Sequence, residues 1–125
     1  ANCIAQRATI TALKAPVSKI QYMIDKFKER RTLILDLLNE VEGFKCNEPE
    51  GAFYVFPNVS ALFGKTFKGN KIENATDLSM YLLEEAQVAT VTGEAFGNPD
   101  CIRISYAASE DDIKNAIAQI KEALA

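Results

Sequence analysis

The sequence predicts a two-layer α+β sandwich in which helices cover one face of a small, mainly antiparallel sheet. Three observations carry that expectation. Val17, Ile20, Ile24, Phe27, Ile34, Leu38 and Val41 recur every three or four positions, which is the ladder of a long amphipathic helix. Two runs rich in β-formers, Ala52-Phe53-Tyr54-Val55-Phe56 and Cys101-Ile102-Arg103-Ile104-Ser105, are bounded by turn residues. The segments follow the order helix, long helix, strand, strand, helix, strand, strand, helix. A chain of 125 residues has the length of one domain and can bury one core.

Asn2 is placed to cap a first helix that runs to about Lys14, with Ile4, Ala5, Ala8 and Ala12 as its small or apolar positions. Its alanine content suits close packing, against something outside this chain. Pro16 ends that segment or occupies the first turn of the next. The long helix extends from Pro16 to Glu42, with Arg31 as the one polar entry in its stripe and Gly43 as a left-handed stop. Phe44-Lys45-Cys46-Asn47 alternates and reads as a strand. The turn Glu48-Pro49-Glu50-Gly51 would then join it to Ala52–Phe56 as a hairpin. Residues 58–74 read as an exposed loop. Thr76 or Asn74 caps a third helix whose inward side is Leu78, Leu82 and Ala86. Strands at 88–92 and 101–107 follow. Ser109 with Asp112 resembles a capping box and opens a last helix with Ile113, Ile117, Ile120 and Leu124 on its buried face.

Composition excludes several function classes. Apolar residues make up 48% and charged residues 25%, the profile of a globular protein. A formal net charge of −3 and the absence of a clustered basic face argue against nucleic acid. No apolar run approaches the ~18 residues of a membrane span, and the start lacks a signal-peptide pattern. Cys3, Cys46 and Cys101 are widely spaced, and histidine is absent, so no zinc site is expected. The cysteines read as small, mostly buried residues in a reducing cytosol, which places the protein in the cytoplasm. No initiator methionine is present, which points to a processed chain or a piece of a longer one.

The strongest chemical feature is the stretch from Val88 to Ala107: a strand, a loop bracketed by Gly93 and Gly97, and a second strand with Arg103 at its centre. Ile102 and Ile104 point to one face of that strand and Arg103 to the other. A guanidinium held on a strand is a permanently charged fork suited to a carboxylate. An edge-strand arginine lying over apolar surface, or a structural ion pair, has the same spacing. The segment from Gly93 to Gly97 is not a phosphate loop, because it lacks both glycine-rich patterns and leads into a strand. It is expected to turn tightly and present Phe96, which on its own reads first as a core aromatic. Without histidine there is no serine or cysteine triad, so no complete active site is legible in the chain.

Taken together, Ile4-Ala5-Gln6-Arg7-Ala8, the segment from Pro49 to Pro57, the loop from Val88 to Gly97, and Cys101-Ile102-Arg103-Ile104-Ser105-Tyr106-Ala107 resemble the class I/II pyridoxal-phosphate aminotransferases. The likeness is strongest to bacterial aspartate aminotransferases in their C-terminal portion, and it covers essentially the whole chain. It implies that residues 1–15 are the end of a preceding large domain or the link to it. Residues 16–125 would be the C-terminal small domain of a fold-type I enzyme. By the same mapping Arg103 grips the substrate α-carboxylate, Phe53 lines the substrate pocket, and Phe96 with Gly97 shapes that pocket as the small domain closes. The family's cofactor lysine and phosphate-binding residues would lie upstream. The resemblance thus implies no catalytic, cofactor-binding or metal-binding residue in this chain, and a fragment that is inactive alone and binds no pyridoxal 5'-phosphate. The full-length enzyme would use that cofactor, act on amino acids and 2-oxo acids, and be a homodimer. The alternative is a stand-alone amino-acid-binding or regulatory α+β module built on Arg103; a purely structural domain is a third possibility.

Overall fold

The computed structural model describes residues 2–125; Ala1, with which the expected first segment begins, lies outside the described residues. It contains four α-helices: α1 Cys3–Lys14, α2 Gln21–Asn39, α3 Ala75–Glu85 and α4 Glu110–Ala123. Five short strands accompany them: β1 Tyr54–Val55, β2 Thr66–Phe67, β3 Asn70–Lys71, β4 Val91–Thr92 and β5 Ile102–Ser105. The main sheet has the order β1-β5-β4 and is antiparallel throughout, with β5 in the middle. Its register sets Tyr54 opposite Ser105, Val55 opposite Ile104, Val91 opposite Arg103 and Thr92 opposite Ile102. Helices and small antiparallel sheets are therefore present as expected.

The core forms where the ladders of three helices meet the apolar side of β5. Ile34 and Leu38 of α2, Leu78 and Leu82 of α3, and Ile113, Ile117 and Ile120 of α4 are all buried, as are Val55, Ile102 and Ile104. Asn74 is the cap of α3, its side chain accepting from the backbone N–H groups of Thr76 and Asp77, both at 2.9 Å. Ser109 caps α4 by accepting from the Asp112 N–H at 3.1 Å. The last fully buried position of α4 is Ala123; Leu124 is partly buried against the core.

Several expectations are corrected. The long helix is not continuous from Pro16. A 3-10 turn at Val17–Lys19 comes first, and α2 starts only after Ile20, whose φ of −116° and ψ of 6° break the helical path. Val17 and Ile20 continue the apolar ladder in sequence but are 62% and 50% exposed, so no packing holds that end in the helix. The hairpin between residues 44–47 and 52–56 does not form. Lys45 instead bridges Asn58, and Tyr54-Val55 pairs with β5. The intervening loop is tied to α2: Arg31 donates to the Pro49 carbonyl at 2.9 Å and pairs with Glu48 at 3.2 Å. That contact explains the polar entry in the α2 stripe. The 58–74 segment, expected as a loop, contains the β2–β3 hairpin, with Lys68 and Gly69 both in left-handed backbone. Cys101 is buried and Cys46 partly so, but Cys3 is exposed on α1. Indeed α1 buries none of its residues.

One buried polar contact has a pH signature. The Tyr81 hydroxyl donates to the Ala123 carbonyl at 2.6 Å, linking α3 to the end of α4. Burial pushes the Tyr81 phenol up from its usual 10.0, and Glu85 adds to the shift. Burial also raises the Cys46 and Cys101 thiols from 9.0. In all three the neutral form is favoured in the fold, so the unfolded chain releases its proton first. Their contribution is fully present below the usual values of 9.0 and 10.0 and is lost as pH rises through the higher folded values. Urea midpoints measured from neutral to alkaline pH are expected to fall above the cysteine value. Tyr81→Phe should lower the plateau and flatten the fall above the tyrosine value; an unchanged alkaline slope in that variant would rule out Tyr81 as a source.

Candidate functional site

β5 builds the site by simple alternation. Ile102 and Ile104 go into the core, and Arg103 emerges on the opposite side with Ser105. The antiparallel register places Tyr54 diagonally from Arg103 on that same side, within reach of a long side chain. The Arg103 guanidinium carbon lies 4.4 Å from the Tyr54 ring centroid and 4.3 Å from that of Phe96. Its charge thus lies over two aromatic rings within cation–π distance, a favourable contact for a cation and a ring quadrupole. Among the described residues the Arg103 side chain forms no ion pair and no hydrogen bond. Arg31, bound to Glu48 and Pro49, shows what a structural arginine looks like in this fold.

Phe96 reaches Arg103 from the 3-10 turn Gly93–Phe96, closed by Gly97 at φ +81°. Gly93 ties the turn to the base of β5: its N–H donates to the Cys101 carbonyl at 2.7 Å, and its carbonyl accepts from Asn98 at 3.0 Å. Phe96 is 49% exposed, so the reading of it as a core aromatic is overturned. Its ring stands edge-on to Phe56 at 6.3 Å and 89°.

Phe53 is one ring removed from Arg103. It contacts Tyr54 at 4.4 Å and Phe27 at 6.2 Å between centroids. On its other side opens an apolar groove of about 480 Å³ lined by Ile20, Met23, Phe27, Arg31, Phe53 and Tyr106. Neither Arg103 nor Phe96 lines that groove. The structure therefore joins Arg103 to Phe96 directly and to Phe53 only through Tyr54. Tyr54 is the residue that sequence reasoning passed over. Its alternation with the core position Val55 was the available signal, but that signal names a face and not a partner.

No group of acidic or cysteine side chains suited to a metal occurs among the described residues. No helix is long and apolar enough to cross a membrane. Every lysine except Lys121 is exposed, and Lys121 is paired with Glu40 at 2.6 Å. Burial is what prepares a lysine for covalent attachment to a carbonyl cofactor, and no lysine here has such a setting.

The site is thus a strand-borne arginine beside two rings, on a fold of four helices around a small antiparallel sheet. The family model for aminotransferase class I and II matches residues 3–120. An aspartate aminotransferase of Streptomyces avermitilis is 40% identical over 115 residues, covering 92% of this chain and 28% of the relative. The crystal structure of the aspartate aminotransferase from Rhizobium meliloti superposes with a TM-score of 0.92 at 41% identity, covering 97% of this chain and 30% of that one. An alanine aminotransferase from Pyrococcus furiosus gives 0.84 at 28% identity, covering 97% and 29%. The chain belongs to the class I and II aminotransferase family, whose members use pyridoxal phosphate. It spans less than a third of the length of these relatives.

Proposed function

We propose that this chain is the C-terminal part of an amino-acid aminotransferase of the aspartate type. Residues 16–125 act as its two-layer small domain, and residues 1–15 belong to the preceding large domain or the link to it. The observation that carries this reading is the state of Arg103: oriented by two rings, half-buried, and without an acidic partner among the described residues. Such a guanidinium is ready for an incoming carboxylate, and the α-carboxylate is the one anionic group that all amino-acid and 2-oxo-acid substrates share. Fixing it orients the α-carbon, so the contribution of this chain is positional. In this reading Phe53 would supply an apolar wall to the substrate pocket, and Phe96, exposed beside Arg103, would help to exclude water as the small domain closes.

The cofactor of the family supplies the electron sink for the carbanion chemistry. The lysines of this chain do not fit its attachment, so it would be held by residues preceding this chain in the polypeptide. The chain alone is accordingly inactive. The large domain that precedes it, a homodimeric assembly and a cytoplasmic setting belong to the same proposal. The absence of packing around α1 supports a partner upstream. The test is an assay of the full-length protein with aspartate, 2-oxoglutarate and added pyridoxal phosphate. Oxaloacetate formation is expected. No amino transfer from any of a panel of amino acids would favour the amino-acid-binding or regulatory module instead.

A further inference from the structure

We infer that Tyr54 and Phe96 together act as the jaws that hold the Arg103 fork edge-on to its ligand, making Tyr54 a positioning residue for carboxylate binding. The inference rests on the reading of Arg103 given above and extends it to a residue that the sequence did not single out. A free arginine on a surface strand samples many rotamers and must be ordered at the moment of binding. Here the guanidinium carbon lies over two rings, 4.4 Å from the Tyr54 centroid and 4.3 Å from that of Phe96. Two rings against the cation restrict its rotation, and a carboxylate that approaches in the guanidinium plane can accept two of its N–H donors.

The two jaws come from separate elements, and each is braced. Tyr54 sits on β1, fixed by pairing with Ser105 and backed by the Phe53 ring at 4.4 Å. Phe96 sits on the 3-10 turn, backed edge-on by Phe56. In this role both rings act through Arg103.

Steady-state kinetics of the full-length enzyme with aspartate and 2-oxoglutarate test this. Tyr54→Leu and Phe96→Leu, which keep apolar bulk but lose the π face, are each expected to lower kcat/KM about tenfold, the scale of a partly desolvated cation–π contact. Tyr54→Phe keeps the ring and should stay within about twofold of wild type. Repeating both leucine substitutions in an Arg103→Lys background should erase most of their effect, because the rings then have no fork to hold. Phe96 is about half exposed, so Phe96→Leu remains informative even if Tyr54→Leu lowers the yield of folded protein. A loss under about twofold in Phe96→Leu, or a loss undiminished in the Arg103→Lys background, overturns the inference. Wild-type kcat/KM in Arg103→Lys alone overturns the underlying reading of Arg103 instead.

Discussion

Gly93→Ala is expected to be the most damaging single-methyl change in the chain. A Cβ at Gly93 would stand 2.3 Å from the Asn98 carbonyl oxygen and 2.4 Å from the Cys101 carbonyl oxygen, with the Cys101 carbonyl carbon at 2.9 Å. All three contacts are backbone atoms, which cannot rotate aside as a side chain can. They are also the atoms that close the turn, since the Gly93 N–H donates to the Cys101 carbonyl. Relief therefore requires breaking the turn or pulling the start of β5 out of register. Overpacking of this kind costs about 3 kcal/mol. Urea unfolding should show it as a fall in midpoint, while Gly51→Ala, where an added Cβ meets nothing within 4 Å, should leave the midpoint unchanged. Gly97→Ala is the instructive intermediate. It has open space but a φ of +81°, so its cost is the left-handed backbone alone, about 1 kcal/mol. A Gly93→Ala midpoint equal to that of Gly51→Ala would show that the loop adapts freely. It would also remove the argument that the loop fixes the place of Phe96.

What the sequence made legible follows from what periodicity can and cannot encode. The 3.6-residue repeats of α3 and α4 and the cap Ser109 are local and are found where the pattern placed them, while of the two candidate caps for α3, Thr76 and Asn74, it is Asn74 that takes the position. The alternation of Ile102, Arg103 and Ile104 likewise fixed which side chain leaves the core. Partners are a different matter. Strand 52–56 looked ready to pair with its neighbour in sequence, yet its apolar side chain Val55 is buried beside Ile104, 49 positions further on by number. Hydrophobic burial in the common core selected that pairing over the shorter loop. The same limit hid Tyr54: alternation assigns it to the side opposite Val55, but only the β1–β5 register brings it to Arg103. At the N-terminal end the error ran the other way. Val17 and Ile20 continue a ladder that nothing among the described residues covers, so a pattern suited to burial ends as a 3-10 turn and exposed apolar surface.

Arg103→Lys in the full-length enzyme is the substitution that bears most directly on function, and kcat/KM for amino transfer is expected to fall by about two orders of magnitude. Charge is conserved, so the loss isolates geometry. A lysine ammonium cannot present two parallel N–H donors to one carboxylate, and as a compact, strongly hydrated charge it gains less from two ring faces spaced for a planar group. Losing half of a bidentate, charge-assisted contact together with its pre-orientation amounts to about 3 kcal/mol, which corresponds to the stated change. The fold should not share in this loss. The Arg103 side chain makes no ion pair or hydrogen bond among the described residues, and the core face of β5 is carried by Ile102 and Ile104. The urea midpoint should therefore stay close to wild type while catalysis falls, a separation that Gly93→Ala would not show. If the loss appeared mainly as a raised KM with kcat unchanged, Arg103 would be contributing binding that is equal in the ground and transition states. A fall in kcat as well would show that the in-plane grip on the carboxylate helps to align the α-carbon for reaction. Unchanged affinity and turnover in Arg103→Lys would mean that the carboxylate is held elsewhere, and the rings around Arg103 would then be packing and nothing more.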